Sequence, residues 1–199
     1  MKMKKEIRMS QIQTANLQND DDNQNEKMTV DGTAVVFEQR TELCKLDGVS
    51  YYEVIDAHAL DGVDLTDCCM RYNHADGFSI LARTRNKSLR LNVDERGLHF
   101  SADIVDTQQC RDIFKLVNDG LVDACSFGFT VKEDRYDPET RTRRILKFDR
   151  VFEISLVDMP AYDGTSVQVS QRDYFQAKHE AEQKAQNEQR RKRLILMTY

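Results

Sequence analysis

The chain has 199 residues, of which 40% are hydrophobic, 8% aromatic and 32% charged, enough apolar material for one core but not for a large one. Its formal net charge of −5 excludes binding to nucleic acid through bulk electrostatics. Because no apolar run has the length of a membrane span or of a signal-peptide core, we expect a protein that binds no membrane and stays in the cell that makes it.

The five cysteines do not follow the pattern of a disulfide framework or of a zinc site. Their number is odd, two of them are adjacent, and no CxxC spacing occurs. We therefore expect free thiols in a reducing cytoplasm, and we predict neither a metal nor a cofactor.

The first 27 residues are polar and rich in Asn, Gln and Asp. Such a stretch buries too little apolar surface to offset the entropy lost on ordering. It predicts a flexible N-terminal segment over residues 1–27, in which only the run IRMSQI has the composition of a short strand.

Residues 28–175 have the pattern of a mainly β domain. Short alternating or β-branched runs, broken by Gly, Asp and Asn, predict strands at the spacing of a barrel or sandwich. The run DERG, residues 94–97, predicts a hairpin turn between two of them. One helix is expected within residues 106–120, where apolar side chains recur at positions i, i+3, i+4 and i+7 between a cap at Asp106 or Thr107 and an end at Gly120.

Residues 176–199 form a charged C-terminal tail, with six basic and three acidic side chains, against eighteen basic and twenty-six acidic ones in residues 28–175. The tail has good helix propensity but no apolar stripe, so we expect it to be a solvated helix or to be disordered. His179 lies in this tail and is expected to be solvated.

The run DACSFGFTV contains a single serine, Ser126, within a predicted strand. Phe127 and Phe129 would face the core, which leaves Ser126 and Gly128 on the open side, where a glycine lets a substrate backbone approach. An ordinary strand serine has the same surroundings. The pattern A-x-S-x-G also resembles the nucleophile elbow of α/β-hydrolases, but a strand follows the serine here instead of a helix, so we reject that interpretation.

A catalytic serine needs a base, usually a histidine, and the chain has four. His99 alternates with core residues and is expected on a surface, His58 fits a loop or helix start, and His179 lies in the tail. His74 lies where a predicted strand ends, a position from which a side chain reaches across a surface. The pattern alone leaves the choice open.

Several segments, taken together and in order over about residues 28–170, resemble the prohead (capsid maturation) proteases of tailed bacteriophages. These segments are GTAVVFEQ, YYEVIDAHAL, MRYNHADGFSILART, LVDACSFGFTV and RVFEISLVDMPAYDGTSV. The resemblance implies a fold like that of the herpesvirus assembly protease, a closed β-barrel flanked by helices. It also implies a serine endopeptidase in which His74 is the general base and Ser126 the nucleophile.

In addition to this resemblance, the strand pattern predicts the third catalytic residue. Phe152, Ile154 and Leu156 would share one face, so Glu153 would point to the other, toward Ser126, and would orient the imidazole. Asp149 is the alternative third member and Asp76 a more distant one, while Glu153 could instead pair with Arg150. Backbone N–H groups in residues 158–161 are the candidates for an oxyanion hole.

The resemblance further implies where the protein acts and on what. Its substrates would be the scaffold-like segment of the major capsid protein or a separate scaffolding protein, and the protease itself, inside the immature prohead in the host cytoplasm. A homodimer is plausible, because the herpesvirus relatives dimerise. Two alternatives stay open: a catalytically silent assembly factor with the same barrel, and a nucleic-acid-binding β-barrel that uses the basic tail, which the acidic domain disfavours.

Overall fold

The computed structural model describes residues 5–19, 26–75, 80–158 and 169–196. Its strands are β1 (Lys5–Asn19), β2 (Glu26–Val36), β3 (Thr41–Leu46), β4 (Val49–Ile55), β5 (Cys69–Tyr72), β6 (Ile80–Arg83), β7 (Leu89–Val93), β8 (Gly97–Asp103), β9 (Ala124–Asp137) and β10 (Thr142–Val157). Two α-helices are present among these residues, α1 (Gln108–Asn118) and α2 (Val169–Leu196), together with a 3-10 helix at Thr84–Asn86. The predicted mainly β architecture with few helices is confirmed.

The strands form one sheet in the order β3-β4-β10-β9-β1-β2-β8-β7, with β5 paired to both β10 and β6. Strand β10 runs parallel to β4 at Thr142–Ile145 and parallel to β5 at Glu153–Leu156. The sheet therefore branches along β10, and the pairings among the described residues follow an open path. The closed barrel that we predicted is not confirmed.

The core lies on one face of the central strands. The aromatic rings of Phe127 and Phe129 stack with centroids 5.1 Å apart, and Phe148 of β10 lies 4.7 Å from the ring of Phe129. The predicted helix is confirmed as α1, whose four apolar residues are buried in the same core. The predicted hairpin is also confirmed, because Asp94 Oδ1 accepts hydrogen bonds from the amides of Arg96 and Gly97 between β7 and β8.

The N-terminal segment differs from our prediction over most of residues 5–19, which form strand β1 instead of a flexible segment; the short strand expected at IRMSQI, residues 7–12, is present as part of it. This strand pairs on one edge with β2 and on the other with β9. Two of its side chains are both buried and charged: Arg8 pairs with Glu53, and Glu6 accepts a hydrogen bond from Arg143 at 2.7 Å. The composition of the stretch predicted disorder because it is so polar. The residues that neutralise its charges lie far away in the chain, so its own composition does not reveal them.

Helix α2 begins inside the range assigned to the domain and docks on it through its first turns. Phe175 is fully buried against Tyr51, with ring centroids 5.3 Å apart. The solvated position predicted for His179 is wrong: its side chain is buried, Nδ1 lies 2.8 Å from Tyr51 Oη, and Nε2 lies 3.1 Å from Asp47 Oδ2. The face of α2 that docks on the domain contains too few residues to produce an apolar stripe that can be recognised in the sequence. Residues 183–193 are exposed.

Two further observations concern the predictions from composition. All five cysteines are free and buried. No helix within the described ranges combines the length and the apolar composition needed to cross a membrane.

Candidate active site

Ser126 lies in strand β9 at the centre of the sheet, with Met9 of β1 opposite it on one side and Ser155 of β10 on the other. Its Oγ lies 2.6 Å from Nε2 of His74. The two residues that we predicted as nucleophile and base are thus in direct contact. The predicted exposure of Ser126 is wrong, because its relative solvent-accessible area is 0%.

His74 reaches Ser126 because of the turn that follows strand β5. Strand β5 is paired with β10, and the amide of Asn73 continues this pairing by donating to the carbonyl of Leu156 at 2.9 Å. Asn73 and His74 then both adopt left-handed backbone conformations, with φ of 50° and 55°. Asn and His are among the non-glycine residues that tolerate this region best, and such conformations cluster at functional sites. The turn carries the imidazole over the sheet to β9.

Glu153 is the residue that contacts the other imidazole nitrogen. Its Oε1 lies 2.6 Å from His74 Nδ1, and the side chain is 14% exposed. Two more polar groups surround the carboxylate: Ser155 Oγ donates to Oε1 at 2.6 Å, and Arg71 Nε lies 3.9 Å from Oε2. The contact predicted between Glu153 and the histidine is therefore present in the structure.

The protonation states at the site follow from these contacts. Burial by itself raises the pKa of the Glu153 carboxyl, but the hydrogen bonds from His74 and Ser155 and the charge of Arg71 bring that pKa below its ordinary value. An ionised carboxylate can only accept hydrogen bonds, so Nδ1 of His74 carries the proton. In the neutral imidazole with this tautomer, Nε2 is the unprotonated nitrogen, and it accepts the hydrogen bond of the Ser126 hydroxyl.

An irregularity in strand β10 shapes the floor of the site. Val151 pairs with Phe129 and Glu153 with Gly128, so Phe152 is an extra residue in β10, as in a β-bulge. The face that we predicted for Phe152, shared with Ile154 and Leu156, is therefore wrong. Phe152 is only half-buried and lies over Gly128, where an added Cβ would be 2.7 Å from Phe152 Cε2. The absence of a side chain at Gly128 makes room for this ring. We had expected the same space to admit a substrate backbone.

Asp149, the first alternative to Glu153, has no hydrogen bond or ion pair with His74 among the described contacts. Asp149 is exposed and accepts a hydrogen bond from Thr130 Oγ1 at 3.0 Å. Asp76 lies outside the described residues. The pairing of Glu153 with Arg150 is not observed either, because the Arg150 guanidinium donates to the carbonyl of Asp67 at 3.2 Å.

The other three histidines lie in different surroundings. His58 is exposed and its Nδ1 lies 3.1 Å from Asp61 Oδ2. His99 lies between Thr33 and Asp94, each at 3.0 Å. His179 belongs to the α2 contact described above.

The candidate oxyanion donors lie largely outside the described residues, which end at 158 before resuming at 169. The amide of Asp158 is already engaged, since it donates to Asn73 Oδ1 at 3.2 Å. Across the described part of the chain, no group of three or more His, Cys, Asp or Glu side chains is arranged to hold a metal ion.

Sequence reasoning missed two polar residues of the site, Ser155 and Arg71. Ser155 follows Glu153 by two positions and therefore shares its face of the strand, which is a signal that the alternation contains. Arg71 could not be found in this way, because its proximity to Glu153 depends on the parallel pairing of β5 with β10.

Comparisons with known proteins concern the family and the fold of the chain. A sequence-family model described as caudovirus prohead serine protease matches residues 13–180. A solved structure of the bacteriophage T4 capsid assembly protease superposes with a TM-score of 0.50 at 8% sequence identity, covering 78% of this chain and 99% of that chain. At this identity the superposition shows a common fold. No curated protein matches the sequence.

Proposed function

This chain belongs to the caudovirus prohead serine protease family, and on that premise we propose that it is a serine endopeptidase with Ser126 as its nucleophile. The observation that carries the proposal is the continuous hydrogen-bonded chain Ser126–His74–Glu153, with both contacts at 2.6 Å. Serine, histidine and carboxylate in this order form the arrangement that activates a hydroxyl for attack on an acyl carbon.

The proposed reaction proceeds through an acyl-enzyme. His74 Nε2 takes the proton of Ser126 Oγ while this oxygen attacks the carbonyl carbon of the peptide bond. The Glu153 carboxylate stabilises the imidazolium. The proton then passes from Nε2 to the leaving amine, the C–N bond breaks, and the acyl group remains on Oγ. Water, deprotonated by His74, releases the acid and restores the serine hydroxyl.

The substrates that the family suggests are proteins of the assembling capsid. We propose the scaffold segment of the major capsid protein or a separate scaffolding protein, and the protease itself, inside the prohead in the host cytoplasm. For self-cleavage the structure favours residues 183–193, which are exposed, over residues 5–19, whose backbone is paired with β9 at residues 5–11 and with β2 at residues 11–19.

The second candidate function is a catalytically silent assembly factor. One observation favours it: Ser126 has no exposed surface, so a substrate carbonyl reaches Oγ only after a local opening over the site.

Intact-mass spectrometry separates the two candidates. Wild type, Ser126→Ala and the control Ser101→Ala, which changes a strand serine bonded to Arg90, are each incubated with the major capsid protein. We expect wild type and Ser101→Ala to shorten the capsid protein or themselves, and Ser126→Ala to leave every mass unchanged. Intact masses in all three samples would support the silent assembly factor instead.

A further inference from the structure

We propose that Ser155 is a positioning residue of the active site, one that acts through Glu153 and never touches the substrate. This inference rests on the proposed function, in which Ser126, His74 and Glu153 carry out the chemistry. Ser155 is a buried hydroxyl that the reaction as described does not use.

The location of Ser155 follows from the strand geometry. It lies two residues after Glu153 in β10, so both side chains project from the same face. It also pairs directly with Ser126 across β9 and β10, which places the two serines side by side. Ser126 Oγ contacts His74, whereas Ser155 Oγ donates to Glu153 Oε1 at 2.6 Å.

The acceptor oxygen explains why this contact matters. A carboxylate oxygen has two lone-pair sites, and Oε1 of Glu153 receives the N–H of His74 and the O–H of Ser155. Rotation of the carboxylate would therefore break two hydrogen bonds at once. Ser155 thus holds the oxygen that selects the productive tautomer of His74.

The second carboxylate oxygen cannot replace this restraint. Arg71 Nε lies 3.9 Å from Oε2, beyond hydrogen-bond distance, and its Nη1 donates instead to the carbonyl of Ala75 at 3.0 Å. Arg71 therefore supports the turn that carries His74, and among the described contacts Ser155 is the short donor that the carboxylate has in addition to His74.

The chain offers a matched control on the same two strands. Thr130 of β9 donates its hydroxyl to Asp149 of β10 at 3.0 Å, a hydroxyl–carboxylate pair that does not contact His74. Thr130→Val removes that donor without touching the site, and Ser155→Ala removes the corresponding donor at the site.

The test is the rate at which a small fluorophosphonate probe labels the full-length protein, measured as a function of pH. We expect Ser155→Ala to be labelled about 10- to 100-fold more slowly than wild type, the range that corresponds to one hydrogen bond to a charged group. Ser155→Thr, which keeps the hydroxyl, should restore most of the rate, and Thr130→Val should label like wild type.

The pH profile distinguishes positioning from a general loss of structure. Without the Ser155 donor the Glu153 carboxylate keeps more of its charge toward His74, so the imidazolium is favoured and the acid limb of the labelling rate should move to higher pH. Equal rates and equal acid limbs in Ser155→Ala and wild type would overturn the inference while leaving the proposed function intact. A wild type that is not labelled at all would overturn the proposed function, and this inference with it.

Discussion

Replacing Glu153 by glutamine removes the charge of the proposed third member at nearly constant volume. In the wild type the carboxylate accepts from His74 Nδ1 at 2.6 Å and is largely buried, so water replaces it poorly. The amide of a glutamine can donate to Nδ1. The imidazole of His74 would then carry its proton on Nε2, the nitrogen that faces Ser126. We expect the reactivity of Ser126 to fall by about 10⁴-fold, the loss found when the acid of a serine–histidine–acid triad becomes an amide.

The pH dependence gives the same experiment a second readout. Because the pKa of Glu153 lies below its ordinary value, the carboxylate is ionised at neutral and mildly acidic pH, where it stabilises a positive charge on the imidazole. In Glu153→Gln this stabilisation is lost, so the acid limb of the labelling rate moves to lower pH.

The assay is fluorophosphonate labelling across the pH range, with Asp149→Asn as the control. Asp149 is the other acidic candidate on β10, but it bonds Thr130, so its amide should label like wild type. Labelling of Glu153→Gln within about twofold of wild type, or a large loss in Asp149→Asn, would refute the assignment of Glu153 as the orienting acid.

Two further predictions concern the framework of the site. Gly128→Ala places a methyl group against the Phe152 ring, so we expect a stability loss of about 1–3 kcal/mol, seen as a lower melting temperature; unchanged melting would contradict the packing described. In Arg143→Met the buried Glu6 loses one of its partners, so we expect the free energy of unfolding, measured with denaturant, to fall by about 3–5 kcal/mol. A fall of less than about 1 kcal/mol would contradict a role for this pair in docking β1. The pKa of Glu6 is lowered in the folded chain: burial raises it, but Arg143 and Arg8 outweigh that effect. The wild type should therefore lose this stabilisation as the pH falls below about 4.5 and through the lowered pKa, and Arg143→Met should show a shallower acid dependence.

The sequence predicts what depends on short-range pattern. Helix α1 and the hairpin at residues 94–97 follow from local spacing and turn chemistry, and the structure has both. The contact between Ser126 and His74 could be anticipated from motifs in the right order, although 52 residues separate the two. Alternation also brings Glu153 to the correct face.

The features that the sequence could not predict depend on distant pairings. The order of β1 comes from charges on β4 and β10 that neutralise Glu6 and Arg8, which no local composition reveals. The extra residue Phe152 changes its face only because β10 is irregular against β9. His179 is buried because helix α2 meets Tyr51, a contact between segments more than 120 residues apart.

The most direct test of the account is to map the residue that the fluorophosphonate modifies. Full-length wild type is labelled, digested and analysed by tandem mass spectrometry, beside His74→Ala. The account predicts a single adduct on Ser126 in the wild type and its near-complete loss in the variant. An adduct on Ser155, or equal labelling of Ser126 without His74, would contradict the assignment of nucleophile and base.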